Sequence, residues 1–486
     1  MGLLDPAVWS ERVFSVGGWV SGSGGAADVV EPATGDVLGR VGVATQDDVT
    51  KAAAAAAQAQ REWAAASYEE RAAVLRRAGQ LWLDHAAEIE SWIVREAGSI
   101  PPKAALETHV ASQECFEAAA LPSLPAGSVL PSAEPRWSFA RRRPVGVVSV
   151  IAPFNFPLIL SIRSVAPALA LGNAVLLKPD PRTAVCGGVA LVRVFEEAGL
   201  PPGLLHLLPG DASIGEAVVT ASEVRVISFT GSTRAGRIVG KIAGEHLKRA
   251  HLELGGNNAL VVLPGADLAK AASAGAFGSF MHQGQICMTT GRHLVHTSVY
   301  DAYVEALTEK ARHLPVGDPA TGQVAIGPLI DAGQRDRVDA LVQDTVRAGG
   351  RLAAGGTYDG LFYAPTVLAD VTPDMPAYAE EVFGPVAPVV AFDTVEEAVR
   401  LASDSEYGLS LGILGDVGLA MQVADAVPSG IVHINEQTVA DEANVPFGGV
   451  GASGTGSRFG GPEANLEAFT ETQWLTVRGS IAPYPF

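Results

Sequence analysis

The feature that most constrains the fold is a series of short apolar segments that alternates with helical segments after residue 144. Four of these segments have the length of a strand and are apolar on both faces: residues 145–151, 174–177, 204–208 and 224–229. Strands of this kind, separated by helices, are typical of a parallel sheet that helices cover on each side. Because 486 residues exceed what one hydrophobic core usually serves, we predict an α/β protein of two or three units.

The segments on either side extend this α/β pattern. Residues 251–446 form a second block of alternating strands and helices, and residues 1–44 fit short strands. Residues 45–48 are predicted to open an Ala-rich helix, and residues 67–70 form a capping box that predicts a longer helix ending near residue 97. Residues 472–478 alternate like a strand; paired with residues 137–142 they would make a ribbon whose open edge favours contact with another subunit.

The charge of the chain argues against a nucleic-acid partner. Its formal net charge is −19, whereas phosphate binding depends on clustered cations. The one basic run, residues 141–143, is short and fits a solvated strand end or an intersubunit ion pair. We expect no membrane partner either, because the two long uncharged stretches, residues 144–162 and 271–291, are broken by proline or are too polar.

Cysteine and histidine usage gives no sign of a disulfide or a metal site. Cys115, Cys186 and Cys287 form neither a disulfide framework nor a Cys-x-x-Cys pair, and the ten histidines show no His-Glu-x-x-His pattern. Residues 1–14 already carry charges and lack the apolar run of a secretory signal. These observations predict a cytoplasmic protein without a metal ion.

Three positions have features of a catalytic or binding site. Cys287 lies among small, polar and bendable residues, which fits a nucleophile, although a buried inert thiol is the alternative. Gly231 lies in a strand-to-helix turn, residues 229–236, where the helix N-terminus could hold a phosphate or the turn could be an ordinary one. Lys178 follows a strand, where it could contact a cofactor or only solvent.

Four motifs, taken together in their order and spacing, strongly resemble the NAD(P)-dependent aldehyde dehydrogenase superfamily. They are Asn155 in Ala-Pro-Phe-Asn-Phe-Pro, Lys178 in Leu-Leu-Lys-Pro-Asp, Glu253 in Leu-Glu-Leu-Gly-Gly and Cys287 in Gly-Gln-Ile-Cys. The resemblance runs from about residue 20 to the C-terminus, and the motifs at residues 229–236, 380–385 and 446–449 agree with it. It favours the reactive alternative for Cys287 over the inert one.

The resemblance implies a fold of two Rossmann-type parallel-sheet domains plus a small β-ribbon oligomerisation element. Residues 1–124 and 144–252, with part of 450–470, would form the dinucleotide-binding domain, and residues 253–449 the catalytic domain. Residues 125–143 and 471–486 would form the ribbon, so a homodimer or homotetramer is expected.

The same resemblance assigns roles in the oxidation of an aldehyde to an acid. A Cys287 thiolate would attack the carbonyl to form a thiohemiacetal, and the Asn155 amide with the Cys287 backbone N–H would stabilise the oxyanion. After hydride transfer, Glu253 would activate the water that releases the thioester, and its flanking leucines should raise its pKa.

The cofactor expected from the resemblance is NAD. Its site would be built from one group of residues: Lys178 and Glu381 at the riboses, Ser232 with Gly231 and Gly236 at the pyrophosphate, Phe383 near the nicotinamide, and Pro153 and Phe154. Relatives restricted to NAD often carry Glu three residues after the lysine, and this chain has Pro181 there. Without a carboxylate to repel a 2′-phosphate, NADP is expected to be accepted too.

The substrate pocket implied by family position is mostly apolar and aromatic: Phe156, Leu160, Arg163, Met281, Ile286, Met288 and Phe447. This lining, with residues 154–183, resembles the benzaldehyde dehydrogenase branch and favours an aromatic aldehyde. Arg163 leaves a carboxylated semialdehyde such as succinate semialdehyde as the alternative. Related semialdehyde enzymes pair this arginine with a second one where this chain has Met281, so we interpret Arg163 as structural or as a weak polar contact at the pocket mouth.

Two readings from other classes remain open from the sequence. A non-catalytic binding relative of the fold would be expected to have lost Cys287, Glu253 or Asn155, and none is lost. A cysteine hydrolase would need a histidine base, for which His282 is the only nearby candidate.

Overall fold

Two seven-stranded sheets with helices packed around them form most of the molecule, as the predicted α/β class requires. The structure is a computed structural model that describes residues 2–486; Met1, the first residue of the predicted dinucleotide-binding domain, lies outside them. The helices are α1 Pro6–Trp9, α2 Gln46–Ala65, α3 Tyr68–Asp84, α4 Ala86–Glu96, α5 Pro101–Ala120, α6 Pro157–Ala170, α7 Ala190–Glu197, α8 Ala212–Thr220, α9 Thr233–Glu245, α10 Leu268–Phe280, α11 Tyr300–His313, α12 Ala332–Arg347, α13 Pro376–Ala379, α14 Val395–Ser403, α15 Val417–Ala426 and α16 Pro462–Phe469.

The strands are short, and most alternate with helices along the chain. They are β1 Arg12–Ser15, β2 Gly18–Ser21, β3 Ala26–Val30, β4 Val37–Gly42, β5 Gly127–Val129, β6 Trp137–Pro144, β7 Val147–Ile151, β8 Ala174–Lys178, β9 Leu205–Leu207, β10 Val224–Thr230, β11 Arg249–Glu253, β12 Asn258–Val262, β13 Thr290–His296, β14 Arg351–Ala354, β15 Tyr358–Asp359, β16 Phe362–Tyr363, β17 Thr366–Ala369, β18 Val386–Phe392, β19 Tyr407–Gly408, β20 Ser410–Leu414, β21 Ile431–Ile434, β22 Val450–Gly451 and β23 Thr470–Val477.

The first sheet has the order β11-β10-β7-β8-β9-β1-β2. Its five strands from β11 to β9 are parallel, and β1 and β2 extend it in antiparallel fashion. Strands β7 and β8 are buried along their whole length, so both faces of the sheet are covered. Because parallel strands end at the same edge, Lys178 and Glu253, the last residues of β8 and β11, lie at one edge of this sheet.

The second sheet has the order β14-β17-β18-β13-β12-β20-β21 and is parallel except for β14. Two clusters of buried apolar side chains, each drawing on strands β12, β13 and β18, form its core. A smaller cluster of Ile286, Met288, Leu409 and Phe447 surrounds Cys287. The nucleophile candidate therefore lies in an apolar setting just before β13.

The predicted ribbon is present and lies outside the two large sheets. Strand β23 pairs antiparallel with β6 along eight residues, and β5 pairs with the other side of β6. Trp137 and Trp474 on this ribbon are each 65% exposed. No helix within residues 2–486 is both long and apolar enough to cross a membrane.

The predicted long helix after residue 67 is wrong in one respect. Ser67 caps α3 by accepting a hydrogen bond from the Glu70 backbone N–H at 3.1 Å. The helix then ends at Asp84, and α4 begins at Ala86. Between them His85 has φ −108° and ψ 15°. The sequence has no glycine or proline at this break. The Thr45 prediction is confirmed, because Thr45 and Asp48 form a full capping box on α2.

Candidate active site

Cys287 follows a strained turn between α10 and β13. His282, Gln283 and Gly284 have φ of 47°, 57° and 65°, so three consecutive residues adopt left-handed conformations that side chains rarely favour. The Gln283 amide Nε2 donates to the carbonyl oxygens of Gly98 (2.9 Å) and Pro328 (2.7 Å), which fixes the turn to distant segments. The backbone thus holds Cys287 in one place at a cost in local strain.

Gly284 brings this turn against the loop that carries Phe383. A Cβ atom at Gly284 would lie 2.0 Å from the carbonyl oxygen of Gly384, so no other residue fits there without a shift. On the far side of the cysteine, the Asn258 amide donates to the carbonyl oxygens of Cys287 and Thr289, both at 2.8 Å. The nucleophile loop is therefore fixed on both sides of Cys287.

The Cys287 side chain is partly exposed, whereas Cys115 and Cys186 are buried. Its backbone N–H makes no hydrogen bond within residues 2–486. Burial, together with the nearby Glu381 and Glu253 carboxylates, raises the pKa of the thiol to about 12. The resting side chain is therefore a thiol, and it must lose its proton before it can act as a nucleophile.

Asn155 lies between β7 and α6 and is brought beside the nucleophile loop. Its amide Nδ2 donates to the Gln285 carbonyl at 2.9 Å, which leaves its second N–H without a partner within residues 2–486. Asn155 and Cys287 line the same cavity. Two hydrogen-bond donors are thus available beside this cavity: the second side-chain N–H of Asn155 and the backbone N–H of Cys287.

A buried ion pair holds the Asn155 loop. Lys103 and Glu107, one helical turn apart on α5, are both fully buried and in contact. The Lys103 ammonium donates to the Asn155 carbonyl at 2.7 Å, and Glu107 Oε2 accepts from the Leu158 and Ile159 N–H groups at the start of α6. The sequence analysis missed this pair; only its i, i+4 spacing was visible there.

We expect Lys103→Met to destabilise the protein, because it leaves the Glu107 carboxylate buried without its partner. Losing one partner of a buried ion pair typically lowers the free energy of unfolding by about 3–5 kcal/mol. Urea denaturation followed by circular dichroism measures this change. Lys270→Met is the matched control, since Lys270 pairs with Asp267 on the exposed surface; a similar loss in both variants would contradict the argument.

Glu253 is the last residue of β11 and is almost completely buried. Neither of its carboxylate oxygens has a hydrogen-bond partner within residues 2–486. Burial raises the pKa of Glu253 well above its usual value, and the Arg458 and Arg163 guanidinium groups oppose this shift. The direction is the one that the flanking leucines predicted. Arg458 was not among the site residues predicted from the sequence.

His282, the alternative base of a hydrolase, is not placed for that role. Its ring is buried against Phe156, with ring centroids 5.6 Å apart, and neither nitrogen has a hydrogen-bond partner in the described chain. Burial lowers the pKa of His282 well below its usual range. A Cys-His pair is therefore not formed.

Lys178 and Glu381, two of the predicted cofactor residues, each keep a polar side-chain atom without a hydrogen-bond partner within residues 2–486. Lys178 is buried yet makes no hydrogen bond or ion pair within residues 2–486. Glu381 uses Oε1 to accept from the Gly256 N–H at 3.0 Å, and its Oε2 is left without a donor. A Cβ atom at Gly255 would lie 2.3 Å from this Oε2, so a side chain at position 255 would collide with Glu381. These two unpartnered polar groups suit the hydroxyls of a ribose.

The chain turns after β10 and begins helix α9, as predicted for residues 229–236. Ser232 caps α9 by accepting from the Ala235 N–H at 3.3 Å, and the Gly231 N–H donates to the Glu253 carbonyl at 3.0 Å. Gly236 packs so closely that its Cβ would lie 2.2 Å from Leu254. The helix N-terminus and these glycines fit a pyrophosphate.

Two aromatic residues predicted for the cofactor site, Phe154 and Phe383, contact each other. The Phe383 ring meets the Phe154 ring edge-on at 6.0 Å, and the Arg182 guanidinium lies 4.3 Å above Phe154. Phe383 itself has φ 54°. Pro153 is half-buried just after β7.

All seven predicted pocket residues line a single cavity of about 610 Å³ that also contains Cys287 and Asn155: Phe156, Leu160, Arg163, Met281, Ile286, Met288 and Phe447. Apart from Arg163, these side chains are apolar or aromatic. Most of the cavity lining is apolar, and the remainder is polar or charged, including Asp441, Glu436 and Glu442. Its size and mostly apolar lining suit a small, largely apolar ligand.

Arg163 is buried and paired with two carboxylates. It is 3% exposed, its Nε lies 3.4 Å from Glu114 Oε1, and its Nη2 contacts Asp441. The guanidinium also lies 4.7 Å above the Phe447 ring. Its acidic partners are 49 and 278 positions away in the chain, which is why the sequence analysis missed them. No group of three or more His, Cys, Asp or Glu side chains within residues 2–486 is placed to hold a metal ion.

Comparison with known proteins shows the family of this chain. Residues 19–475 match the profile of the Aldehyde dehydrogenase family, and the chain belongs to that family. It is 67% identical to the vanillin dehydrogenase of an Amycolatopsis species, with both chains covered completely, and 51% identical to the benzaldehyde dehydrogenase (NAD+) of Pseudomonas putida, with 99% of each chain covered. The crystal structure of betaine aldehyde dehydrogenase from Staphylococcus aureus in complex with NAD+ matches 98% of this chain and 97% of its own, with a TM-score of 0.95 and 28% identity.

Proposed function

We propose that the protein oxidises an aromatic, benzaldehyde-like aldehyde to the carboxylic acid with NAD+. The observation that carries this proposal is the cavity that holds Cys287 and Asn155 inside an apolar and aromatic lining. Two relatives, vanillin dehydrogenase and benzaldehyde dehydrogenase, act on aromatic aldehydes by name and are more than half identical to this chain. Arg163, already paired with two carboxylates, does not favour a carboxylated semialdehyde.

The first step joins the Cys287 sulfur to the aldehyde carbon. Because the thiol is protonated at rest, its proton must leave as the S–C bond forms, and Glu253, buried and without a hydrogen-bond partner, is the base we assign to it. The carbonyl oxygen then carries the negative charge. The free N–H groups of Cys287 and Asn155 are the donors that stabilise this oxyanion.

The second half of the reaction leads through a thioester. When NAD+ is bound, its nicotinamide supplies the acceptor for the hydride that the thiohemiacetal carbon loses. Glu253 first releases to solvent the proton that it took from the thiol; it then takes a proton from water, and the resulting hydroxide adds to the thioester carbon. The C–S bond breaks, the carboxylic acid leaves, and the Cys287 thiolate takes the proton from Glu253.

The residues at the edge of the first sheet fit the proposed cofactor. Lys178 and Glu381 would bind ribose hydroxyls, the α9 N-terminus with Ser232 the pyrophosphate, and Phe383 would pack at the nicotinamide. The residue three positions after Lys178 is Pro181, which begins a short turn and carries no carboxylate. We therefore propose NAD as the cofactor with NADP also accepted.

An assay of reduced cofactor at 340 nm tests the function with a panel of benzaldehyde, a long aliphatic aldehyde and succinate semialdehyde. Benzaldehyde is expected to give the highest kcat/KM with NAD+. The absence of reduced cofactor with every aldehyde would refute the dehydrogenase, and the highest kcat/KM for succinate semialdehyde would refute the aromatic substrate.

We expect Asn155→Ala to lower kcat by about 100- to 1000-fold, the usual cost of one oxyanion donor. The Cys287 N–H would remain as the second donor, so activity should fall without vanishing. Steady-state kinetics with benzaldehyde measures the loss, and an unchanged melting temperature would exclude unfolding as its cause. A loss of less than about fivefold would contradict the assigned role.

We also propose the assembly, the location and the domain division. The exposed tryptophans of the β5–β6–β23 ribbon, Trp137 and Trp474, support a homodimer or homotetramer formed through residues 125–143 and 471–486. Catalysis needs a reduced Cys287, and all three cysteines are unpaired, which supports a reducing cytoplasm. The two seven-stranded sheets support a division into a dinucleotide-binding and a catalytic domain at residue 253.

A further inference from the structure

We propose that Glu114, Arg163 and Asp441 form a charge filter that admits neutral aromatic aldehydes and rejects anionic ones. The proposal rests on the proposed function and deepens it, since it defines which aromatic aldehydes are substrates. We call these three residues the acid-arginine triad. Arg163 and Asp441 both line the cavity that holds Cys287.

The geometry of the triad pairs the arginine charge with two carboxylates. Glu114 and Asp441 contact the guanidinium at two different nitrogens, Nε and Nη2. Glu114 and Arg163 are no more than 4% exposed along their side chains, and the Asp441 side chain is 18% exposed. The Phe447 ring covers one face of the guanidinium at 4.7 Å. A carboxylate on a substrate would therefore have to compete with two built-in carboxylates.

The charge balance of the triad is unfavourable to an anion. Asp441 offsets the one positive charge of Arg163, and Glu114, whose pKa burial raises to about 7, adds a further negative charge where it is ionised. Asp441 Oδ1 is buried without a hydrogen-bond partner in the described chain. Charges interact more strongly at the buried Glu114–Arg163 pair than they would in water.

The third guanidinium nitrogen gives the filter its selectivity for neutral polar rings. Nη1 of Arg163 makes no hydrogen bond or ion pair to residues 2–486. It can donate to a neutral oxygen on a ring without bringing a second negative charge beside Asp441. A ring carboxylate at the same place would gain that donor but would face the repulsion of Asp441 and Glu114.

The test compares 4-formylbenzoate with methyl 4-formylbenzoate, which have the same ring and aldehyde but differ in charge. Wild-type enzyme is expected to prefer the ester by about 100-fold or more in kcat/KM, because like charges side by side in a binding site cost this much or more. In Asp441→Asn, Arg163 regains a charge to offer, and this preference should fall at least about tenfold. Glu436→Gln is the matched control: it removes a carboxylate at the same cavity that does not contact Arg163, and its preference should stay near that of the wild type.

The outcomes separate this inference from the proposed function. If the wild type oxidises neither compound nor benzaldehyde, the proposed function fails. If it oxidises benzaldehyde and treats the two formyl compounds alike, the filter alone is refuted. If Asp441→Asn does not fold, Glu114→Gln carries the same expectation, and an unchanged preference in a folded triad variant also refutes the filter.

Discussion

Replacing Cys287 by alanine is expected to abolish aldehyde oxidation, with kcat reduced by roughly 10⁴-fold or more. The S–C bond is the one that lets hydride leave and that carries the acyl group afterwards, so no neighbouring side chain can take over its role. The side-chain N–H of Asn155 and the backbone N–H of residue 287 remain as free donors in the variant. They cannot stabilise an oxyanion that never forms.

The measurement is the rate of NADH formation with benzaldehyde, with Cys115→Ala as the control. Cys115 is also a free cysteine, but it is buried in the core of the first sheet's domain and lies outside the cavity. Cys115→Ala should therefore keep turnover at temperatures where it is folded. If Cys287→Ala retained more than about 1% of wild-type kcat, the covalent mechanism would be wrong.

Replacing Glu253 by glutamine should stop the reaction after one turnover. Glutamine has nearly the same shape but cannot accept a proton from water, so the thioester on Cys287 should persist. A burst of NADH close to one per active site is expected, followed by a steady rate lower by roughly 100-fold or more. The first step still needs a proton acceptor, and the burst should therefore also be slower than in the wild type.

Stopped-flow absorbance measures the burst, and mass spectrometry of the quenched protein should find the acyl mass on Cys287. Glu381→Gln is an informative comparison, because Glu381 is also a buried carboxylate near the cysteine but faces the proposed ribose site. It should raise the KM for NAD+ without trapping an acyl-enzyme. Normal turnover in Glu253→Gln would remove Glu253 from the base role.

The raised pKa of Glu253 also predicts how activity depends on pH. The base must be ionised to act, and burial shifts its pKa well above the usual value of 4.5. Activity should therefore rise with pH, and the ascending limb of the kcat profile should lie well above pH 4.5. An ascending limb near pH 4.5 would mean that a solvated carboxylate, not Glu253, controls the rate.

The parts of the molecule that local sequence patterns determine could be predicted. The alternation of apolar strands and helices predicted the first parallel sheet, and the alternating tail predicted the pairing of β23 with β6. The helix break at His85 could not be predicted, because no glycine or proline stands where α3 ends. Local propensity is a weak guide where packing decides.

The site residues that belong to a recognisable motif could be predicted from the sequence. Contacts between residues that are distant in the chain could not. The motifs around Asn155, Glu253 and Cys287 predicted residues that the structure brings to one region, and their roles stay predictions. The protonated state of the cysteine depends on burial, which no motif encodes. The carboxylates that pair with Arg163 come from α5 and from a loop near residue 441, and only the folded chain brings them together.

The tight turn before the nucleophile has a consequence for changing this enzyme's substrate range. Gln283, Gly284 and Asn258 fix the main chain around Cys287 from outside the cavity, whereas Met281 and Met288 reach into it from either end of the same turn. We expect that the two methionines can be exchanged for smaller or larger apolar residues without moving the sulfur. Reshaping the cavity and preserving the chemistry are therefore separate tasks for protein engineering.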